Sequence, residues 1–194
     1  LGHHVAPACP KADIQGMMRA WTKIVACGTA LGIQSIVAAR GRPLEKGEVE
    51  PLSLSAMRYA ESISGADYLQ AVGKIHSFGR QMAAFFTDWD ILLTPTLAEP
   101  PALVGRFNHA TDDYVNYRIG PGMIFDYSPF CAAFNASGQP AVSLPLAQSA
   151  KGLPIGIHLA AAFGRDEILL SLARQLELAE PWAERRPPFP TFQN

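Results

Sequence analysis

Charged residues are scarce in this sequence. Lys, Arg, Asp and Glu together make up 17% of the chain, against about 25% in an average soluble protein, whereas hydrophobic residues reach 48%. A chain with so little charge has few groups with which to cover its own surface, so we expect it either to oligomerise or to form part of a larger body. The formal net charge is only −1, which argues against nucleic acid or an anionic membrane surface as a partner.

Cysteine is also rare. Cys9, Cys27 and Cys131 are the three in the chain, and none of them forms a CxxC pair. An odd number without such pairs predicts reduced thiols rather than a disulfide framework, and therefore a cytoplasmic protein.

No long uncharged run reaches the length of a membrane span. The longest candidate, Ile24–Ala39, is shorter than the ~20 residues that a helix needs to cross a bilayer. It also contains Thr29, Gln34 and Ser35. We therefore predict a buried core helix here and no membrane partner.

Two apolar segments separated by a polar turn dominate the C-terminal third. The run Ala141–Leu146 has the composition of a strand buried on both faces, and Pro145 should lie at a strand end, a bulge or an edge because it lacks an N–H. After a turn at 147–152, large and small residues alternate along 153–163, which indicates a second strand. Asp166 can then cap an amphipathic helix that Pro181 stops.

The rest of the chain alternates between helical and strand patterns. The pattern predicts strands at His3–Ala8 and Asp90–Thr94, helices at Lys11–Leu31, Ser53–Ser62 and Ala66–Phe86, a long irregular stretch at Thr96–Gly122, and a proline-rich tail at Pro181–Asn194 that wraps the surface. We therefore predict an α/β fold. Irregular stretches as long as 96–122 are usually functional or disordered.

Several of these segments resemble enzymes of the amidase signature family. The strongest are Phe134-Asn-Ala-Ser-Gly-Gln-Pro-Ala-Val-Ser-Leu-Pro145, Gly152-Leu-Pro-Ile-Gly-Ile-His158 and Asp166-Glu-Ile-Leu-Leu170 up to Pro181-Trp182. Asp90-Ile-Leu-Leu-Thr-Pro95 and Leu1-Gly-His-His-Val5 are similar to earlier junctions of the same family, in the same order. The resemblance covers essentially the whole chain.

The resemblance implies hydrolysis of a C–N amide bond through a serine acyl-enzyme. Such enzymes use a serine nucleophile, a second serine in a cis peptide and a lysine, with backbone N–H groups holding the oxyanion and without a metal or an organic cofactor. It also implies a mixed sheet covered by helices, to which residues 1–194 would contribute the C-terminal part of a single domain. The sequence from Phe134 to Pro140 is most similar to that of the family branch that acts on small and cyclic amides, including aminohexanoate-type substrates.

The serine- and glycine-rich stretch that carries the nucleophile in this family is absent here. The only Ser-Gly pairs are Ser64-Gly65 and Ser137-Gly138, and none of the five lysines lies in a matching motif. We therefore expect the catalytic residues, and further polypeptide, to lie before Leu1, and the chain alone to be inactive.

One substrate-contacting face follows from the resemblance. The family's helix before the Asn135 turn faces the acyl side of the substrate, and by spacing that face here is Phe125, Ser128 and Ala132. The alternative is that these three residues pack the core. His158, in the second strand, is expected to be a hydrogen-bonded core or pocket histidine, and Cys131 a buried, inert thiol.

Two main hypotheses for function remain open. In the first, the chain is the C-terminal portion of an amidase that takes a small-molecule amide, with an apolar acyl group favoured. In the second, it is a non-catalytic module that completes another chain, either an N-terminal portion or a second copy. A third, an amidotransferase subunit acting on aminoacyl-tRNA, has no basic surface in the sequence to support it.

Overall fold

The computed structural model describes residues 1–186, which form seven helices and three strands. The helices are α1 (Ile14–Arg40), α2 (Pro51–Glu61), α3 (Gly65–Phe85), α4 (Tyr114–Ile119), α5 (Ile124–Tyr127), α6 (Pro129–Ser137) and α7 (Asp166–Ala179), and the strands are β1 (Ile91–Pro95), β2 (Ala141–Gln148) and β3 (Pro154–Ala161). The predicted helices over 53–62 and 66–86 are confirmed within two residues at each end. The predicted course of the tail lies largely outside the described residues.

Helix α1 is longer than predicted. The Asp13 side chain accepts a hydrogen bond from the Gly16 amide at 2.8 Å and caps the start, and the helix continues to Arg40 rather than ending at Leu31. Gly41 ends it with φ 65°, a left-handed conformation that glycine adopts without strain.

The two halves of α1 have different environments. Met17 and Met18 are buried in the core, whereas Leu31 and Ile36 are exposed. The prediction that 24–39 is buried is therefore wrong for much of this segment, because the buried α1 residues in the core clusters with α2 and α3 are Met17, Met18 and Ala26, none of them after residue 26. By length and composition α1 is the one helix in residues 1–186 that could cross a membrane.

The three strands form one antiparallel sheet in the order β1-β3-β2. The predicted pairing of the last two strands is confirmed. Pro145 lies at a shift of register between Leu144 and Ala147, on a strand that has one partner in the described sheet, as its missing N–H requires. The predicted burial of β2 on both faces is wrong, because Ala141 and Ser143 are exposed.

The predicted strand at His3–Ala8 is also wrong. In the described part of the chain, β1, β2 and β3 pair only with one another, and residues 3–8 belong to no strand. A second small correction concerns α7, where Arg165 occupies the N-cap position and Asp166 is the first helical residue.

Helices cover both faces of the sheet. On one face, Leu92 and Ala160 pack against residues of α1, α3 and α6, among them Met17, Phe78 and Phe134. On the other, Leu159 and Ala161 pack with Leu169 of α7. This arrangement confirms the α/β class and leaves the ends of the strands to form the candidate site.

Candidate functional site

A group of polar side chains interrupts the apolar face of the sheet that carries Ala160. Directly opposed residues of antiparallel strands point to the same side, and His158 lies between Thr94 of β1 and Ser143 of β2. Thr96 follows Thr94 by two residues and therefore continues the same face. The sheet thus presents three hydroxyl groups and an imidazole toward the helices.

A cavity of about 460 Å³ opens beside the end of this polar group. Its floor is formed by Ser143 and Gly156, and its wall by the loop 95–101, which supplies several prolines and Leu97. The Thr96 and Ser143 hydroxyls are 2.6 Å apart and hydrogen-bonded to each other. A mostly apolar cavity with a few convergent polar groups is the usual form of a small-molecule site.

Tyr127, the last residue of α5, holds the wall of this cavity in place. Its carbonyl accepts a hydrogen bond from the Ala98 amide at 3.0 Å, and its hydroxyl accepts one from the Ala102 amide, also at 3.0 Å. Its ring lies 5.0 Å from the ring of Phe107. The main chain and the side chain of Tyr127 together thus fix three points of the irregular stretch.

Arg106 closes the same loop on itself. Its guanidinium lies 4.8 Å from the centre of the Phe107 ring and 2.8 Å from the Glu99 carboxylate. The hydrogen bond from Arg106 lowers the pKa of Glu99 below its usual value. Both side chains are partly open to solvent, so the pair fixes the loop geometry and contributes little to stability.

His158 is the buried member of the polar group. It is 4% exposed, its Nδ1 lies 3.3 Å from Thr94 Oγ1, and the Phe134 ring lies 5.2 Å away. The prediction of a hydrogen-bonded buried histidine is confirmed. Burial lowers the pKa of His158 below its ordinary value of 6.5, because the charged imidazolium loses hydration.

This shift predicts that acid destabilises the fold. In the unfolded chain His158 takes up a proton near pH 6.5, whereas in the native chain it does so only at lower pH. The contribution of neutral His158 to the free energy of unfolding is therefore complete above pH 6.5 and is lost as the pH falls below that value. Urea titrations at pH 8 and pH 5.5 measure how much unfolding free energy each protein loses on acidification. This loss should be smaller for His158→Gln than for the parent. An equal loss in both proteins would contradict the assignment.

The three residues expected to contact substrate do not form one exposed face. Phe125 and Ala132 are buried in the first core cluster, and the Arg118 guanidinium lies 4.9 Å from the centre of the Phe125 ring. Ser128 is half-buried at the junction of α5 and α6, and its amide donates to the Ile124 carbonyl at 2.8 Å. None of the three lines the cavity beside Thr96.

The two Ser-Gly pairs have structural roles. Ser64 caps α3 and forms a reciprocal pair of hydrogen bonds with Asp67, and the Ser137 hydroxyl donates to Gln139 Oε1 at 2.6 Å. Gly138 ends α6 in a left-handed conformation, with φ 76°. Neither pair therefore forms the serine- and glycine-rich loop of an acyl-transfer site.

The sequence does not predict the floor of the cavity. The irregular stretch after β1, which supplies most of the wall, is a candidate functional segment because of its length. The contributions of Ser143 and Gly156 could not be found in this way, because they depend on the register of β1, β3 and β2.

Comparison with known proteins identifies a family. A family model described as amidase matches residues 15–170. The chain is 31% identical over 191 residues to the 6-aminohexanoate-cyclic-dimer hydrolase of Paenarthrobacter ureafaciens, an alignment that covers 96% of this chain and 39% of the relative. It is 29% identical over 147 residues to an acylamidase of Rhodococcus erythropolis, covering 74% of this chain and 29% of that protein.

Solved structures agree with this assignment. The structure of a 6-aminohexanoate cyclic dimer hydrolase superimposes with a TM-score of 0.86 at 31% identity, covering 96% of this chain and 40% of that one. A bacterial aryl acylamidase of the amidase signature family shares the fold, with a TM-score of 0.69 at 23% identity over 92% of this chain and 38% of that one. The chain thus spans about two fifths of the length of the 6-aminohexanoate-cyclic-dimer hydrolases it matches.

Proposed function

Because this chain belongs to the amidase family, we propose that it forms the C-terminal portion of a single amidase domain and one wall of its substrate pocket. The observation that supports this most is the cavity between the loop 95–101 and the sheet. Its lining is mostly apolar, with two hydroxyl groups and one carboxylate, that of Glu99, which is paired with Arg106. This lining suits a neutral amide with an apolar acyl part. The substrate class we propose is small amides, as the name of the 6-aminohexanoate-cyclic-dimer hydrolase suggests for that relative.

The chemistry proposed is serine acyl transfer, with all catalytic groups outside these residues. The nucleophile would attack the amide carbonyl, expel the amine and leave an acyl-enzyme that water hydrolyses. In this arrangement the role of the present chain is to bind and orient the acyl group. Of the proposed substrate-contacting residues Phe125, Ser128 and Ala132, only Ser128 is not buried, so it is the one proposed to contact substrate, outside the cavity beside Thr96.

The cellular setting proposed is the cytoplasm. Cys9, Cys27 and Cys131 are all free thiols, and unpaired cysteines suit a reducing compartment.

A chimera tests the proposed function. The portion of the Paenarthrobacter hydrolase that aligns with this chain is replaced by residues 1–194, and hydrolysis is followed by amine release from amides with apolar or charged acyl groups. We expect the chimera to hydrolyse the apolar amides preferentially and to be blocked by a serine-directed sulfonyl fluoride. The 194-residue chain alone should release no amine.

Two controls make this result decisive. The Paenarthrobacter hydrolase without its C-terminal portion should be inactive, which shows that the added residues are required. Circular dichroism confirms that the chimera is folded. A folded chimera without turnover, or amine release by residues 1–194 alone, would contradict the proposal.

A second function is favoured by the apolar surface. Leu31, Ile36, Leu93 and Leu170 are all large apolar side chains that are more than half exposed. Such side chains can mark an interface where they form a patch, so the chain would then be a non-catalytic subunit that completes a second polypeptide or another copy of itself. A folded but inactive chimera would favour this function over the first.

A further inference from the structure

Arg118, near the end of α4, is a half-buried cation without a counter-ion. Its guanidinium lies 4.9 Å from the centre of the Phe125 ring and 5.8 Å from that of Tyr114, and both of these aromatic side chains are 5% exposed. Of the arginines in residues 1–186 that form no ion pair with Asp or Glu, Arg118 is the one that is not exposed. The mechanism proposed above gives this residue no role.

Burial without a counter-ion is unfavourable for a charged group. It lowers the pKa of Arg118 below its usual value, because the guanidinium loses hydration that no carboxylate replaces. An arginine nevertheless stays protonated at neutral pH. The positive charge is therefore permanent and lacks a partner among the residues that the structure describes.

Neighbouring groups hold the guanidinium in one orientation. Arg118 Nε donates to Thr22 Oγ1 at 3.4 Å, and Thr22 is 1% exposed. The Thr22 hydroxyl is itself fixed, since it donates to the Met18 carbonyl at 2.8 Å. The Tyr114 hydroxyl donates to the Thr22 carbonyl at 3.0 Å and so ties α4 to α1 at this point. A group that is already ordered loses little further freedom when it binds a ligand.

The two terminal nitrogens of Arg118 remain available. Among residues 1–186, Nε is the nitrogen of this side chain that donates to a protein group. Every fully buried side-chain nitrogen or oxygen in the same residues has a partner, so Nη1 and Nη2 reach the surface. Two parallel N–H donors on one charged plane match the two oxygens of a carboxylate. We propose that Arg118 binds a carboxylate, with each terminal nitrogen donating to one carboxylate oxygen.

This carboxylate can come from two sources with the same chemistry. One is a small free acid. The other is an Asp or Glu side chain of the polypeptide that completes the amidase domain. The geometry of Arg118 is the same for both, so the experiments below establish the carboxylate site first and then separate its sources.

A titration of residues 1–194 with hexanoate tests for the site without requiring turnover, so the result does not depend on amidase activity. The signals followed by NMR are the Nε–H group of Arg118 and the backbone amide of Thr22, and sodium chloride keeps the ionic strength constant. We expect saturable shifts of both signals with hexanoate at millimolar concentrations. Hexanamide, which has the same shape but no charge, should shift neither.

Two substitutions of Arg118 locate the site, and a third change provides the matched control. Arg118→Met removes the fork and its charge, and we expect hexanoate to bind about tenfold more weakly or worse. Arg118→Lys keeps the charge but lacks the planar fork, so it should also bind more weakly, and it remains informative if Arg118→Met does not fold. Arg19→Met makes the same change at an exposed position of α1 and should bind as the parent does. The Thr22 amide reports binding in all three variants.

The chimera described above separates the two sources. If the completing polypeptide supplies the carboxylate, hexanoate no longer shifts the Thr22 amide in the chimera, and Arg118→Met lowers the unfolding free energy of the chimera more than that of residues 1–194. If the ligand is a free acid, hexanoate shifts the Thr22 amide equally in both proteins. Either outcome supports a carboxylate at Arg118.

Three results would overturn the proposal. They are the absence of saturable shifts when hexanoate is added to residues 1–194, equal shifts with hexanamide, and unchanged hexanoate binding in folded Arg118→Met or Arg118→Lys.

Discussion

Replacing Phe78 with alanine is expected to lower the free energy of unfolding by about 3–5 kcal/mol, the range for a large aromatic side chain removed from a packed core. Phe78 is 2% exposed and belongs to the cluster in which α1, α3 and α6 meet the sheet. Its loss leaves a cavity lined by side chains of several elements, including Met17 and Phe134. These neighbours cannot all collapse into the space, because each is held by its own helix.

The measurement is urea or guanidinium denaturation followed by circular dichroism. Phe163→Ala is the matched control, since the same side chain is removed at a position that is 76% exposed, and it should change the unfolding free energy by about 0.5 kcal/mol or less. Similar losses for the two variants would show that the first cluster is not the core of the fold.

Introducing a methyl group at Gly156 is expected to cost about 1–3 kcal/mol, as overpacking of a closely packed site does. A Cβ atom there would lie 2.6 Å from Ser143 Oγ and nearer still to Thr96 Oγ1. The methyl group can be accommodated only if both hydroxyl groups turn away, and this breaks the hydrogen bond of 2.6 Å between them.

A double-mutant cycle with Ser143→Ala separates this contact from other effects of Gly156→Ala. Removing Ser143 Oγ creates space for the methyl group, so the double variant should be more stable than the sum of the two single changes predicts. Gly73→Ala, at a helical position with nothing within 4 Å of the added Cβ, is the control and should be neutral or slightly stabilising. Additive effects in the cycle would show that Ser143 and residue 156 do not meet.

The same contact explains why the candidate cavity has its present shape. Gly156 leaves room for the Thr96 and Ser143 hydroxyls to meet over β3, and Tyr127 holds the loop 95–101 above them through its hydrogen bonds to Ala98 and Ala102. Any change in acyl specificity produced by Gly156→Ala in the chimera would therefore be traceable to the floor of the cavity.

Local sequence signals were sufficient for most elements. Periodicity, capping residues and prolines predicted helices α2, α3 and α7 and the strand pair β2–β3 to within a few residues. These elements are predictable because each depends on contacts between neighbours in the chain. The reduced share of charged side chains predicted exposed apolar surface, and the motif order gave the family that the comparisons then confirmed.

Tertiary structure alone decided what those elements enclose. Residues 3–8 have a strand-like composition, but they pair with no strand in the part of the chain that the structure describes and form none themselves. The placing of His158 between Thr94 and Ser143 depends on strand register, which residues far apart in the chain fix together. Periodicity thus determined most of the elements and the motifs in their order determined the family, whereas the candidate cavity exists only because residues distant in the chain meet at the sheet.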